Sequence, residues 1–238
     1  MPLMRLDKLL SQLGLATRSE SRAICMSGRV RVNGSPPRTY SEKVNTDLDS
    51  ITLDGKTLIY KQTRVFMMNK PEGVVSARTD GRDLTALDIM DETCRRLGLF
   101  PAGRLDKRTT GLLLMTNDGD LTHNIIMPSS GIVKKYSAKL LSPLPINAER
   151  LFAEGIVLSD GTRFKPALAE AADSTRMNVY VSVTEGKYHQ VRRMLKSVGS
   201  PVADLKRLSI GGLVLDPALS PGEYRELDEQ EISRIFEK

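Results

Sequence analysis

The segment 103–111, with the sequence GRLDKRTTG, holds the densest group of side chains capable of chemistry. Its one acid, Asp106, is surrounded by Arg104, Lys107 and Arg108. Nearby positive charge favours the ionised form of a carboxyl group, and an ionised aspartate can act as a nucleophile. The residue types alone also fit a purely structural role, in which Asp106 accepts backbone hydrogen bonds within a turn. The segment is therefore the first candidate for a catalytic loop.

The remaining residues offer little support for metal or nucleotide sites. Neither His123 nor His189 has a neighbour at the spacing of metal ligands. Cys25 and Cys94 lie far apart in the sequence, which argues against a disulfide framework or a cysteine zinc site. The chain has no phosphate-loop spacing and no dinucleotide fingerprint. We expect the protein to use no metal and no cofactor.

The composition indicates a folded protein with an anionic partner. The 238 residues are 40% hydrophobic and 27% charged, which excludes disorder, collagen and coiled coil as the main class. No apolar run approaches the roughly 18 residues of a membrane helix, and Asp7 interrupts the region where a signal sequence would be apolar. We therefore expect a cytoplasmic protein that does not bind membranes. The net charge of +6 favours nucleic acid among anionic partners.

Helix and turn signals predict a small α+β domain over residues 1–60. Leucines at helical spacing over 6–13 predict one helix. Thr17 precedes Glu20 by three residues, which is the spacing of a capping box at the start of a second helix. Two turn dipeptides then punctuate strand-like segments, Asn33-Gly34 and Asp54-Gly55.

A polar segment at 61–63 is predicted to link this domain to a second one at 64–238. Strand-like segments dominate the second domain, at 64–70, 112–116, 133–141 and 177–184. Shorter helical segments are predicted at 147–154 and 188–198. Short connections between many strands favour a mixed, largely antiparallel sheet with peripheral helices. The fold class of the whole chain is therefore α+β.

Basic residues are concentrated in the first domain. The candidates for RNA contact are Arg5, Lys8, Arg18, Arg22, Arg29 and Arg31. Arg18 and Arg22 lie four positions apart and share one helix face, where like charges repel unless an anion compensates them. A solvated helix face is the alternative interpretation. Residues 4–10 and 27–34, MRLDKLL and SGRVRVNG, resemble the S4-like domain, a small RNA-binding domain typified by a small-subunit ribosomal protein.

A series of motifs in the second domain resembles the pseudouridine synthases. The motifs are GRLD at 103–106, TGLLLMTNDG at 110–119, KKY at 134–136, EGKYHQVRRM at 185–194, LSIGGL at 208–213 and PGEYR at 221–225. Their order and spacing over about 64–228 resemble in particular the branch that modifies small-subunit ribosomal RNA. The KKY triplet and the last two motifs are the features closest to that branch.

The resemblance implies roles for individual residues. Asp106 matches the catalytic aspartate of the family, and Tyr136 matches the aromatic residue that packs against the target base. Arg192 matches the basic residue that pairs with the catalytic aspartate, and Arg104 in the same motif as Asp106 is expected to bind substrate. Outside the resemblance, Tyr136 could be an ordinary sheet tyrosine and Arg192 a solvated helix charge. We expect His189 to be a structural hydrogen-bonding residue.

The implied reaction is an isomerisation that converts a uridine of small-subunit ribosomal RNA into pseudouridine without cofactor, metal or energy source. The expected partner is that RNA or an assembly intermediate containing it, and the expected state of the protein is a monomer. Two alternatives stay open from the residues. One is a non-catalytic RNA-binding protein of ribosome assembly, and the other is a hydrolase that uses Asp106 as a nucleophile on a small substrate.

Overall fold

The structure, a computed structural model, describes residues 3–237, so the outermost predicted domain bounds, 1 and 238, lie outside the described residues. The chain forms two compact units. The first comprises the chain up to Arg64 together with Met90–Leu99, and the second comprises Val65–Ile89 together with the chain from Phe100 onward. Helices and small sheets build the first unit, and a large mixed sheet with helices builds the second. The predicted α+β class is confirmed.

The first unit packs two adjacent helices against small sheets. In chain order its elements are β1 (Met4–Arg5), α1 (Leu6–Gln12), α2 (Arg18–Met26), β2 (Val30–Val32), β3 (Lys43–Val44), β4 (Ile51–Leu53), β5 (Lys56–Thr57) and α3 (Glu92–Arg96). Strand β1 pairs with β3, and β4 lies between β2 and β5 in a three-stranded antiparallel sheet. The core contains the buried leucines of α1 together with Cys25, Val30, Val44 and Ile51.

Local sequence signals explain most of the first unit. Thr17 and Glu20 form the predicted capping box: the Glu20 amide donates to Thr17 Oγ1 at 3.3 Å, and the Thr17 amide donates to the Glu20 carboxylate at 2.7 Å. The dipeptide at 33–34 turns the chain at positive φ as predicted, but β2 pairs with β4 instead of continuing beside the residues after the turn. The prolines at 36–37 have no amide hydrogen and end that ladder.

Residues 90–99 belong to the first unit, although the predicted linker places them in the second domain. Gly14 has a φ of +72°, and a Cβ at this position would lie 2.5 Å from the carbonyl oxygen of Thr93. The guanidinium of Arg96 lies 3.8 Å from the carboxylate of Glu20. These contacts join positions far apart in the chain, so no local pattern indicates them.

The second unit contains a nine-stranded sheet with the order β10-β11-β9-β12-β8-β6-β14, in which β13 pairs with β12 and β7 with β8. Its elements are β6 (Val65–Lys70), β7 (Phe100–Pro101), β8 (Thr109–Thr116), α4 (Gly119–Ile126), β9 (Lys134–Leu140), α5 (Ala148–Glu154), β10 (Leu168–Ala171), β11 (Asn178–Val183), α6 (Gln190–Ser197), β12 (Val202–Ile210), β13 (Leu213–Val214), β14 (Tyr224–Glu226) and α7 (Glu229–Arg234). Only β8 and β12 pair in parallel among the described strands. The predicted mixed, largely antiparallel sheet is confirmed.

Strand β8 lies inside the sheet and continues directly from the candidate loop. Its residues from Gly111 to Thr116 are all buried, because strands cover both of its edges. Gly111 has a φ of +96°, and a Cβ there would lie 2.3 Å from the carbonyl oxygen of Arg207 on β12. Glycine therefore permits the close approach of β8 to β12 at the end of the candidate loop.

Two apolar clusters support the sheet. One packs β9, β11 and β12 against α5 and α6, with Phe152 and Met194 fully buried. The other packs β6 and β8 against α4 and the C-terminal segment, with Ile125 and Ile235 buried. Within residues 3–237, no helix is long and apolar enough to cross a membrane.

Candidate active site

The Asp106 loop is held by its backbone, which leaves the Asp106 carboxylate exposed to the pocket. Ser76 Oγ donates to the carbonyl of Leu105 and accepts from the Leu105 amide, both at 3.0 Å. The Thr109 amide donates to the Asp106 carbonyl at 2.9 Å. Within residues 3–237, the carboxylate itself accepts no backbone hydrogen bond. The structure therefore does not support the alternative in which the Asp106 carboxylate accepts backbone hydrogen bonds within a turn.

Lys70 supports the loop from inside the protein. Its side chain is fully buried at the end of β6, and its ammonium group donates to the carbonyls of Pro71 at 2.8 Å and Lys107 at 3.4 Å. Burial lowers the pKa of Lys70 to about 8, while the negative charges of Asp106 and Glu72 act in the opposite direction. Lys70 is not among the site residues predicted from the sequence. The available signal in the sequence is a lysine that follows a largely apolar strand segment and directly precedes a proline.

The side chain of His189 contacts the Asp106 carboxylate. Its Nε2 lies 3.4 Å from Asp106 Oδ1, and the two side chains are 41% and 31% exposed. His189 precedes α6 in the left-handed region at φ +49°, and its ring stacks on that of Tyr188 with centroids 3.9 Å apart. From the sequence, His189 is expected only to form a structural hydrogen bond. The structure places it within reach of the candidate nucleophile.

The four residues proposed to bind or transform substrate line one pocket, which we call the active pocket. They are Arg104, Asp106, Tyr136 and Arg192. Tyr136 lies on β9, paired in register with Val181 on β11 and Arg207 on β12. The loop before β8, the middle of β9 and the start of α6 thus converge on one place. Sequence spacing alone does not bring these three segments together.

Arg192 does not pair with Asp106 in the structure, so the pairing implied by the resemblance is absent. No ion pair within 4.0 Å joins these two side chains in the described part of the chain. Arg192 Nη2 donates instead to the carbonyl of Arg108 at 3.2 Å, and Nη1 donates to the carbonyl of Val202 at 3.5 Å. Because Arg192 extends from the first turn of α6 toward these carbonyls, it holds the backbone at Arg108, two residues after Asp106. The adjacent Arg193 binds elsewhere.

Among residues 3–237, no group of three or more histidine, cysteine, aspartate or glutamate side chains is arranged to hold a metal ion. The two cysteines, Cys25 and Cys94, are both buried. The side chains that line the active pocket are suited to nucleophilic attack, stacking and charge stabilisation.

The basic residues of the first unit fall into two groups. Three of the six candidates bind acids: Arg5 donates to Asp7, Arg22 lies 3.6 Å from the same carboxylate, and Arg29 pairs with Asp54. Burial raises the pKa of Asp7, but the hydrogen bond and charge of Arg5 outweigh it, and the net shift is downward. Counting charges in a sequence does not reveal such pairing.

The other candidates retain donors for a partner. Arg31 is exposed and donates to the carbonyl of Gly34 at 3.1 Å. Lys8 and Arg18 are exposed, and neither side chain forms a hydrogen bond or ion pair with another residue in the described ranges. The charge of Arg18 still helps to lower the pKa of Asp7. Lys8 and Arg18 are the strongest candidates for contact with an anionic partner.

Comparison with known proteins identifies the family. The family model for RNA pseudouridylate synthase matches residues 64–197, and that for the S4 domain matches residues 4–49. The uncharacterized RNA pseudouridine synthase YtzG of Bacillus subtilis is 43% identical over 98% of this chain and 99% of its own length. Ribosomal small subunit pseudouridine synthase A of Escherichia coli is 40% identical over 98% of this chain and its entire length. A crystal structure of a pseudouridylate synthase, 35% identical, superposes with a TM-score of 0.69 over 98% of this chain and 99% of its own.

The fold, the converging pocket residues and these comparisons agree. The chain is an enzyme of the RNA pseudouridine synthase family, and it belongs to the group that carries an N-terminal S4 RNA-binding domain.

Proposed function

We propose that this enzyme converts a specific uridine of small-subunit ribosomal RNA into pseudouridine, with Asp106 as the nucleophile acting on a flipped-out base. The observation that carries the proposal is the active pocket, in which a carboxylate without backbone hydrogen bonds lies with an aromatic ring and two guanidinium groups. The choice of RNA is supported by the 40% identity to the small-subunit enzyme of Escherichia coli.

The proposed reaction breaks the bond from ribose C1′ to uracil N1 and forms a bond from C1′ to C5. The proton on C5 leaves and N1 gains a proton, so the atoms of the uridine are conserved. A carboxylate nucleophile at the sugar–base junction splits this exchange into two easier steps. Asp106 supplies that carboxylate. Arg192 and Lys70 hold the loop backbone around it through the carbonyls of Arg108 and Lys107.

The ring of Tyr136 is proposed to receive the flipped base. A uridine within folded RNA must leave its stack before it reaches Asp106, and an aromatic face offsets part of that cost. Tyr136 is half-buried on β9 and lines the same pocket as Asp106. Stacking a base on an aromatic side chain contributes roughly 1–3 kcal/mol.

Tyr136→Leu is expected to lower kcat/KM by about tenfold to a hundredfold, in proportion to the lost stacking. Tyr136→Phe keeps the ring and is expected to retain most of the activity. Tritium release from RNA labelled at uracil C5 measures both variants. Equal losses in the two variants would show that the hydroxyl group, not the ring face, is the active part.

Lys8→Glu combined with Arg18→Glu is expected to weaken RNA binding and flatten its salt dependence. Each lost phosphate contact lowers the slope of log affinity against log salt by roughly one unit. Both side chains are exposed and form no hydrogen bond or ion pair among residues 3–237, so the fold is expected to persist. Fluorescence anisotropy across a salt series measures the slope.

The matched control changes the same number of charges on strands of the same unit, with Lys43→Glu and Lys56→Glu. These lysines are exposed and lie outside the proposed interface. An equal change of slope in the two double variants would refute the assignment of Lys8 and Arg18.

Mapping pseudouridines in ribosomal RNA from cells with and without the protein tests the RNA target. The proposal predicts the loss of pseudouridine at a defined position of the small-subunit RNA. A loss confined to large-subunit or transfer RNA would refute the small-subunit assignment and leave the enzyme class intact.

A further inference from the structure

A second pocket, which we call the Lys134 pocket, adjoins the active pocket. Its volume is about 250 Å³, and its walls include Lys134, Arg207, Ile125 and Ile126. It shares Arg104, Tyr136, Glu185 and Gly186 with the active pocket. A molecule in the Lys134 pocket would therefore lie directly beside the nucleotide at Asp106.

Two buried basic side chains, those of Lys134 and Arg207, project from the same face of the sheet into this pocket. Lys134 lies two residues before Tyr136 on β9, and Arg207 on β12 pairs in register with Tyr136, so all three side chains project from one face. The exposed fractions of Lys134 and Arg207 are 8% and 4%. Lysine and arginine are rarely buried to this degree unless they are paired.

Neither Lys134 nor Arg207 has an acidic partner among residues 3–237. Lys134 Nζ donates to the carbonyl of Ile125 at 3.2 Å, and Arg207 Nε donates to the carbonyl of Leu112 at 2.7 Å. No carboxylate lies within 4.0 Å of either group in the described part of the chain. Arg207 Nη2 is buried and has no hydrogen-bond partner among residues 3–237. Two positive charges and an unused donor are thus enclosed together.

The one acid in the wall is already bound to other groups. Glu185 Oε1 accepts from the Lys165 amide at 2.9 Å and from Gln190 Nε2 at 3.0 Å. Its Oε2 lies 3.5 Å from the ammonium of Lys187. Glu185 therefore does not neutralise Lys134 or Arg207, and the pocket keeps a net positive charge.

The arrangement is costly without an anion. Burial and, to a smaller extent, the charge of Arg207 together lower the pKa of Lys134 to about 8. Carbonyl contacts alone do not compensate two like charges removed from water. An anion between them would stabilise both charges, and the apolar walls would strengthen the interaction by excluding water.

We propose that the Lys134 pocket binds a phosphate of the substrate RNA, next to the flipped uridine. The inference rests on the proposed function, because phosphates are the anionic groups of an RNA substrate and the pocket shares four residues with the active pocket. A phosphate held there would fix the position of the target nucleotide relative to Asp106. Lys134 and Arg207 are positioning residues in this account.

The test compares Lys134→Met with Lys135→Met in the full chain. Lys135 is the adjacent residue on the opposite face of β9, where its ammonium lies 4.8 Å from the centroid of the Tyr180 ring. Both variants remove one charge from the same strand. Inorganic phosphate is the probe, and its binding is measured by calorimetry and by the rise in Tm that it causes. KM and kcat are measured by tritium release from RNA.

For Lys134→Met we expect phosphate affinity to fall at least about tenfold and KM for RNA to rise by about the same factor, with kcat within about threefold. Without phosphate, its Tm is expected to equal or exceed that of the wild type, because a buried methionine needs no counter-ion. Lys135→Met is expected to match the wild type in every measurement, and Lys134→Arg is expected to restore phosphate binding.

Several outcomes would overturn the inference. Phosphate binding that is absent from the wild type, or equally strong in Lys134→Met, would remove the anion site. A lower Tm in Lys134→Met with unchanged phosphate affinity would make Lys134 a structural tether to Ile125. An unchanged KM with weaker phosphate binding would exclude the RNA backbone as the occupant. Phosphate binding needs no RNA turnover, so a wild type that binds phosphate but releases no tritium contradicts the proposed function alone.

Discussion

Asp106→Asn is expected to abolish pseudouridine formation, with a loss of at least about 10⁴-fold in kcat. The amide keeps the shape of the side chain but cannot supply a carboxylate nucleophile. RNA affinity is expected to stay within about threefold of the wild type, because the S4 domain is unchanged and the loop backbone is fixed by other residues. Tritium release measures turnover, and fluorescence anisotropy measures binding.

Asp83→Asn provides the matched control for this loss. Asp83 forms an ion pair with Lys107, the residue after Asp106, with 2.6 Å between the charged atoms. The substitution Asp83→Asn removes a negative charge close to the active pocket without changing the candidate nucleophile. Activity of Asp106→Asn within about tenfold of the wild type, or an equal loss in both variants, would remove Asp106 from the mechanism.

Arg192→Leu is expected to lower kcat by about a hundredfold, with a smaller effect on RNA affinity. The guanidinium binds the carbonyls of Arg108 and Val202, so its loss removes a hydrogen bond that holds the backbone two residues after Asp106. A displacement of about 1 Å at a reacting group costs on the order of a hundredfold in rate. Single-turnover tritium release separates this effect from binding.

Arg193→Leu is the matched control, since it removes the neighbouring guanidinium from the same helix. Arg193 binds Asp160 and Thr162, away from the active pocket. Its loss is expected to leave kcat within about threefold, because exposed ion pairs contribute little. Arg192→Lys is expected to recover part of the activity. Near-normal turnover in Arg192→Leu, with a large loss in Arg193→Leu, would identify the other arginine as the positioning residue.

Features encoded by neighbouring residues could be predicted from the sequence. The capping box at Thr17 and the buried strand at 112–116 depend on a few adjacent positions, and both are present. Features set by long-range packing could not. The packing of 90–99 with the first unit, and the pairing of Arg22 with Asp7, depend on contacts that no local pattern records.

In the active pocket, too, some features could be predicted from the sequence, whereas others depend on long-range packing. The family resemblance selected Asp106, Tyr136 and Arg192, and the structure places all three in one pocket. The contact of His189 with Asp106 requires the start of α6 to face the Asp106 loop. The spacing of residues along the sequence does not predict that arrangement. The Lys134 pocket could not be predicted from local patterns either. The register of β9 against β12 decides that the basic side chains of Lys134 and Arg207 lie on the same face of the sheet.

Tritium release from small-subunit ribosomal RNA labelled at uracil C5, supplied both as purified RNA and within an assembly intermediate, tests the central claim most directly. The account predicts that the wild-type enzyme releases tritium from at least one of these two forms to a plateau set by a defined site, with no release from large-subunit RNA and none by Asp106→Asn. Release by the wild type no greater than that by Asp106→Asn from both forms, or equal release from small-subunit and large-subunit RNA, would contradict it.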